Sequence, residues 1–150
     1  MAKITNDIEM RDAIHRLNAA AQRTLAMRFV NAVREFTDND DLLRAIATAM
    51  EPDVSASALE SAYRTAKSIS VATYTACGQD ADWLAQAEHF VAAACAAALA
   101  PVTGDSDRNP AWKAAMQARM ARTCGMIENP NGQVDNEAGR QYEIVEAFLG

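Results

Sequence analysis

Apolar positions recur along this chain at spacings of three and four, which is the signature of helices that bury one face. Leu25, Ala26, Phe29, Val30, Val33 and Phe36 form one such series, and Asn18 before it is a natural N-cap. The spacing therefore predicts a helix from Asn18 to Phe36, after a shorter one from about Asn6 to Arg16. Asp38, with Asp41 three residues on, opens a third helix that ends near Met50, where Glu51-Pro52-Asp53 breaks it. Ser57-Ala58-Leu59-Glu60 reads as a capping box for a fourth helix through Leu59, Tyr63, Ala66, Ile69 and Thr73, with Gly78 as its stop.

The pattern then changes. From Phe90 to Ala100 the sequence is FVAAACAAALA, eleven residues without a polar side chain, and Pro101 ends it. The helix that carries this run starts near Asp80. A bilayer needs about 20 apolar residues, so the run is too short to span one and must be wrapped by other helices or a partner chain. Ala85, Ala92, Ala93 and Ala96 line a smooth face around His89. Residues 101–109 form a polar connection. Asn109-Pro110 starts a sixth helix, whose expected core stripe is Trp112, Met116, Met120 and Cys124. After the turn Asn129-Pro130-Asn131-Gly132, Asp135 or Asn136 caps a last helix with Ile144, Val145, Phe148 and Leu149 on one face.

These elements predict one all-α domain over residues 1–150, a bundle of about seven helices around a central alanine-rich helix. Composition agrees, since half of the 150 residues are hydrophobic and aromatics make up only 6%. The start, MAKITNDIEM, has no apolar leader, and Cys77, Cys95 and Cys124 are odd in number and widely spaced. A cytoplasmic protein without disulfides follows from both features.

The net charge of −6 argues against a nucleic-acid partner. The charge is also uneven. Asp38, Asp40, Asp41, Glu51, Asp53 and Glu60 gather with Arg44 to offset them, while Arg108, Lys113, Arg119 and Arg122 form a later basic stretch. An acidic surface of this kind attracts a basic protein.

Catalytic chemistry has few footholds. Glu88 and His89 are neighbours on a helix and point about 100° apart, so they do not converge. His89 reads first as a hydrogen-bonded packing or interface residue, and His15 as a surface residue. Asp105-Ser106-Asp107-Arg108-Asn109 has the spacing of half a calcium loop, but Pro110 and Met116 stand where that loop needs Gly and Glu. Cys95 is expected to be inert and Cys124, near Arg122, the more reactive. No metal, cofactor or enzymatic machinery is expected, and there is no membrane segment.

Residues 11–101 resemble a group of small all-helical immunity proteins of bacterial toxin systems. The matching stretches are RTLAMRFVNAVREF, DNDDLLRAIATAM, SAYRTAKSISVATYTA and QAEHFVAAACAAALAP. In that group the last two helices are rich in Ala and His. Here His89 alone matches, and Tyr63, Lys67 and Ser70 stand in a preceding helix that has no His. The resemblance implies a non-enzymatic protein that binds another protein, a basic toxin in the simplest case. Asp38, Asp40, Asp41, Asp53 and His89 are the candidate binding residues. The alternatives are a self-associating homo-oligomer and a small-molecule-binding or catalytic bundle built on His89.

Overall fold

A computed structural model describes residues 3–76, 82–101, 109–128 and 136–150. Among them the chain is all-α, with seven α-helices, one 3-10 turn and no strand. The helices are α1 Asp7–His15, α2 Ala19–Asn31, α3 Asp40–Ala49, α4 Ala56–Ala76, α5 Trp83–Leu99, α6 Pro110–Glu128 and α7 Glu137–Leu149. No helix among the described residues is long and apolar enough to cross a membrane.

Short polar side chains start most of these helices by accepting an otherwise unpaired backbone N–H. Asn6 accepts from Glu9, and Glu9 reaches back to the Thr5 N–H at 2.9 Å, closing a reciprocal box. Asn18 accepts from Ala21 at 2.8 Å, and Asn136 from Gly139 at 3.0 Å.

Three helix starts differ from the sequence reading. Asn39, not Asp38, caps α3 by accepting from Leu42 at 3.1 Å. Ser55, not Ser57, caps α4 by accepting from Ala58 at 3.0 Å, while Glu60 turns to Arg64 at 2.7 Å. Asp82 caps α5 by accepting from Ala85 at 3.1 Å, so the central helix begins at Trp83. Asp80, Cys77, Gly78, the 105–108 part of the calcium-like stretch and the 129–132 turn lie outside the described residues.

The expected long second helix is also interrupted. It ends at Asn31, and Arg34–Phe36 form a 3-10 turn. The Val33 N–H already bonds Val30 rather than Phe29, at 3.0 Å. Arg122 Nη2 donates to the Ala32 carbonyl at 3.1 Å, and the Phe36 N–H turns to Val33 at 3.1 Å instead.

α5 lies at the centre. It packs most extensively on α6, then on α4, with α2 across α5 and α6. Val91, Ala92, Ala94, Cys95, Ala96, Ala98 and Leu99 are buried, so the apolar run is core. Of the alanines grouped around His89, Ala92 and Ala96 are buried while Ala85 and Ala93 are half-buried. Burial pushes the Cys95 thiol up to about 12, which leaves it an inert apolar filler.

The buried face of α6 is not the expected one. Ala111, Ala114, Ala115, Ala118 and Ala121 are buried, whereas Trp112 and Met116 are half-buried and Met120 is 45% exposed. Small side chains occupy the closest approach of α6 to α5 and α2, and the large ones flank it. Cys124 is buried, against the expectation of a reactive thiol.

Candidate functional site

The acidic residues divide between the two ends of α3. Asp38, Asp40 and Asp41 are exposed at its start, where the positive end of the helix dipole favours carboxylates. Asp41 pairs with Arg44, one turn along the same helix. Asp38 and Asp40 form no ion pair among the described residues. Asp53 follows the other end of α3, exposed, with a left-handed backbone at φ 59°.

Three hollows border these residues. A groove of about 700 Å³ runs between α3 and α4, lined by Asp41, Arg44, Thr48, Ser61, Arg64 and Ser68. Its two arginines are each engaged by a carboxylate on their own helix, Asp41 and Glu60. Asp38 borders a second hollow of about 690 Å³ with Glu35, Arg34, Ile46 and Met50. Asp53 borders a third of about 550 Å³ with Glu51, Arg23, Arg28, Met27 and Met50.

His89 stands apart from Asp53 and the α3 start, held between α4 and α5. Its Nδ1 lies 2.9 Å from Thr73 Oγ1. That hydroxyl is 2.7 Å from the Ile69 carbonyl and 3.2 Å from the Ser70 carbonyl. The hydroxyl thus bridges the ring to the α4 backbone, with the donor between Oγ1 and Nδ1 set by the ring tautomer. Tyr74 and Phe90 flank the ring at 5.9 and 5.2 Å between centroids. Burial holds the imidazole below its ordinary value, against a smaller opposing effect of a hydrogen bond to the Ser70 backbone. No group of three or more His, Cys, Asp or Glu among the described residues could hold a metal. His89 is therefore held in place by α4, and among the described residues no group of acids or thiols gathers around it.

Two networks escaped the sequence reading, and both use arginines that it placed in a basic stretch. Arg122 is only 5% exposed. Its Nε donates to Glu137 Oε1 at 2.9 Å, its Nη1 pairs with Glu35 at 2.9 Å, and its guanidinium lies 4.7 Å from the Phe36 ring centroid. Arg140 Nη1 donates to the same Glu137 oxygen at 2.8 Å. Burial opposes the Arg122 charge, but Glu137 and then Glu35 outweigh it and raise the group's affinity for its proton.

Arg119 clasps Asp7 with two nitrogens at 3.1 and 2.7 Å and donates through Nε to Gln141 at 2.8 Å. Tyr142 also donates to Asp7, at 2.8 Å. The Arg119 hydrogen bond holds the Asp7 carboxyl below its ordinary value, despite partial burial. Burial and Asp7 together push the Tyr142 phenol up. The available sequence signal was the i, i+3 spacing of Arg119 and Arg122 on a helix of buried alanines. These networks join α1, α6 and α7 to each other and to the 3-10 turn, so they are architectural.

No family model matches this chain, and no curated protein or solved structure matches it either.

Proposed function

We propose that this protein acts without catalysis, by binding a basic protein partner through the edge where α3 begins. The observation that carries this reading is the pair Asp38 and Asp40. Both are exposed and neither forms an ion pair among the described residues; Asp38 borders the hollow shared with Glu35 and Arg34, and Asp40 opens α3 one residue before Asp41, which lines the groove between α3 and α4. Unpaired carboxylates on a rigid helix start are available to a cationic partner and need no rearrangement to meet it. Neutralisation of a toxin, acting from the cytoplasm, is the form of this function that the resemblance to immunity proteins implies. Asp53 stands past the other end of α3, and His89 contributes through packing. The test is capture of partners from the producing cell by the native protein and by an Asp38→Asn/Asp40→Asn variant. The native protein is expected to retain a basic protein that the variant loses; equal retention by the two rejects this edge as the contact.

A second reading, self-association, draws on a different surface. Val71 is 58%, Tyr74 72% and Leu84 53% exposed on adjacent stretches of α4 and α5. A homodimer would cover them. A Tyr74→Glu substitution that leaves sedimentation unchanged, in a protein already monomeric, rejects this reading.

A further inference from the structure

Arg23 is a half-buried cation that the ion pairs of the fold do not use. It lies on α2 and forms no ion pair among the described residues; Lys3, Arg11, Arg16, Arg28, Arg34 and Lys67 form none there either, but each of them is exposed. It lines a hollow of about 430 Å³ whose other walls include Leu59, Tyr63, Leu99, Pro101 and Pro110. Tyr63 is half-buried, and its hydroxyl has no hydrogen-bond partner among the described residues. The carboxylate at the rim, Glu60, is drawn off by Arg64 at 2.7 Å. Arg23 also lines an adjoining hollow together with Arg28 of the same helix and with Glu51 and Asp53, which follow α3. Arg28 lies over the Phe148 ring at 5.0 Å.

We propose that this hollow is a binding site for a small monocarboxylate with an apolar body, distinct from the protein-docking edge at the start of α3. Mainly apolar walls with a few unspent polar groups are the composition of a ligand pocket, and the volume falls in the lower part of the usual range of about 300–1,000 Å³. Arg23 supplies a guanidinium fork that matches a carboxylate, and the Tyr63 phenol supplies a second donor. Leu59, Leu99, Pro101 and Pro110 take the hydrocarbon. A cationic ligand is disfavoured by Arg23, and a neutral one leaves its charge uncompensated.

Isothermal titration of the full chain with decanoate and with decanol tests this directly. Decanoate is expected to bind roughly tenfold or more tightly than decanol, because a charge-assisted hydrogen bond outweighs a neutral one. Arg23→Met should remove that preference while leaving decanol binding in place, and Tyr63→Phe should weaken decanoate several-fold. Ala56→Trp, at an exposed position on the rim, should block both ligands. Thermal melts check that each variant folds, and the decanoate–decanol comparison on the native chain stands even where a variant does not. Equal binding of the two ligands, binding unaffected by Ala56→Trp, or no binding of decanoate overturns the proposal.

Discussion

At the scale of single residues, the strongest constraints are ones that pattern reading does not weigh. Gly125 is an example. A Cβ there would stand 2.3 Å from Phe36 Cε1 and within 3 Å of two further ring atoms. Gly125→Ala gains about 1 kcal/mol of helix propensity but must push Phe36 from beneath Arg122, an overpacking cost of about 1–3 kcal/mol. Net destabilisation is expected in urea unfolding, and a variant as stable as the parent would show that Phe36 moves freely. Arg122→Met is expected to cost about 3 kcal/mol, because it leaves the buried Glu137 carboxylate with Arg140 in place of two guanidinium partners. Adding Glu137→Leu should recover part of that loss, and a double variant no better than the single one would contradict the account. His89 adds a pH signature. Its folded value lies below the ordinary 6.5, so the unfolded chain takes up the proton first. The stability it contributes is complete above 6.5 and is lost as pH falls through 6.5 toward the folded value. His89→Gln should flatten that part of the stability–pH curve, and an unchanged slope would remove burial of the neutral ring as its cause.

At the scale of elements, the helices were legible and their faces less so. Periodicity placed all seven helices, and Asn18 and Asn136 were read as caps because the Asn side chain competes for free N–H groups wherever a helix starts. Asp38 and Ser57 were misread because each has an equally good cap nearby, Asn39 and Ser55, and local sequence does not rank them. Just past the end of α2, the Ala32 carbonyl accepts from Arg122, ninety residues away, a contact that no local pattern contains. The face of α6 was misjudged for a related reason. Large apolar residues are ordinarily the better guide to a core, but between α5 and α2 the approach is set by alanines. Ala115→Leu should therefore cost about 1–3 kcal/mol by overpacking, whereas Met120→Ala should stay within about 0.5 kcal/mol. Denaturant midpoints check both, and a reversed order would restore the Trp112–Met116–Met120 stripe as the core.

At the scale of the whole molecule, the net charge of −6 understates how charge is arranged. The arginines expected to form a basic surface are spent inside, Arg119 on Asp7 and Arg122 on Glu137 and Glu35. Their carboxylate partners are spent with them. Among the described charges that form no ion pair are the exposed Asp38 and Asp40, which the sequence did single out, and the half-buried Arg23, which it did not. Charge at an interface acts mainly on the rate of encounter, and exposed charges add little to stability. The decisive measurement is the association rate of the captured partner with the native protein and with Asp38→Asn/Asp40→Asn, at low and at physiological salt. The rate for the native protein should fall as salt screens the attraction, and the variant should associate slowly at both concentrations with its fold intact. A rate indifferent to salt and to both substitutions would contradict an acidic docking edge.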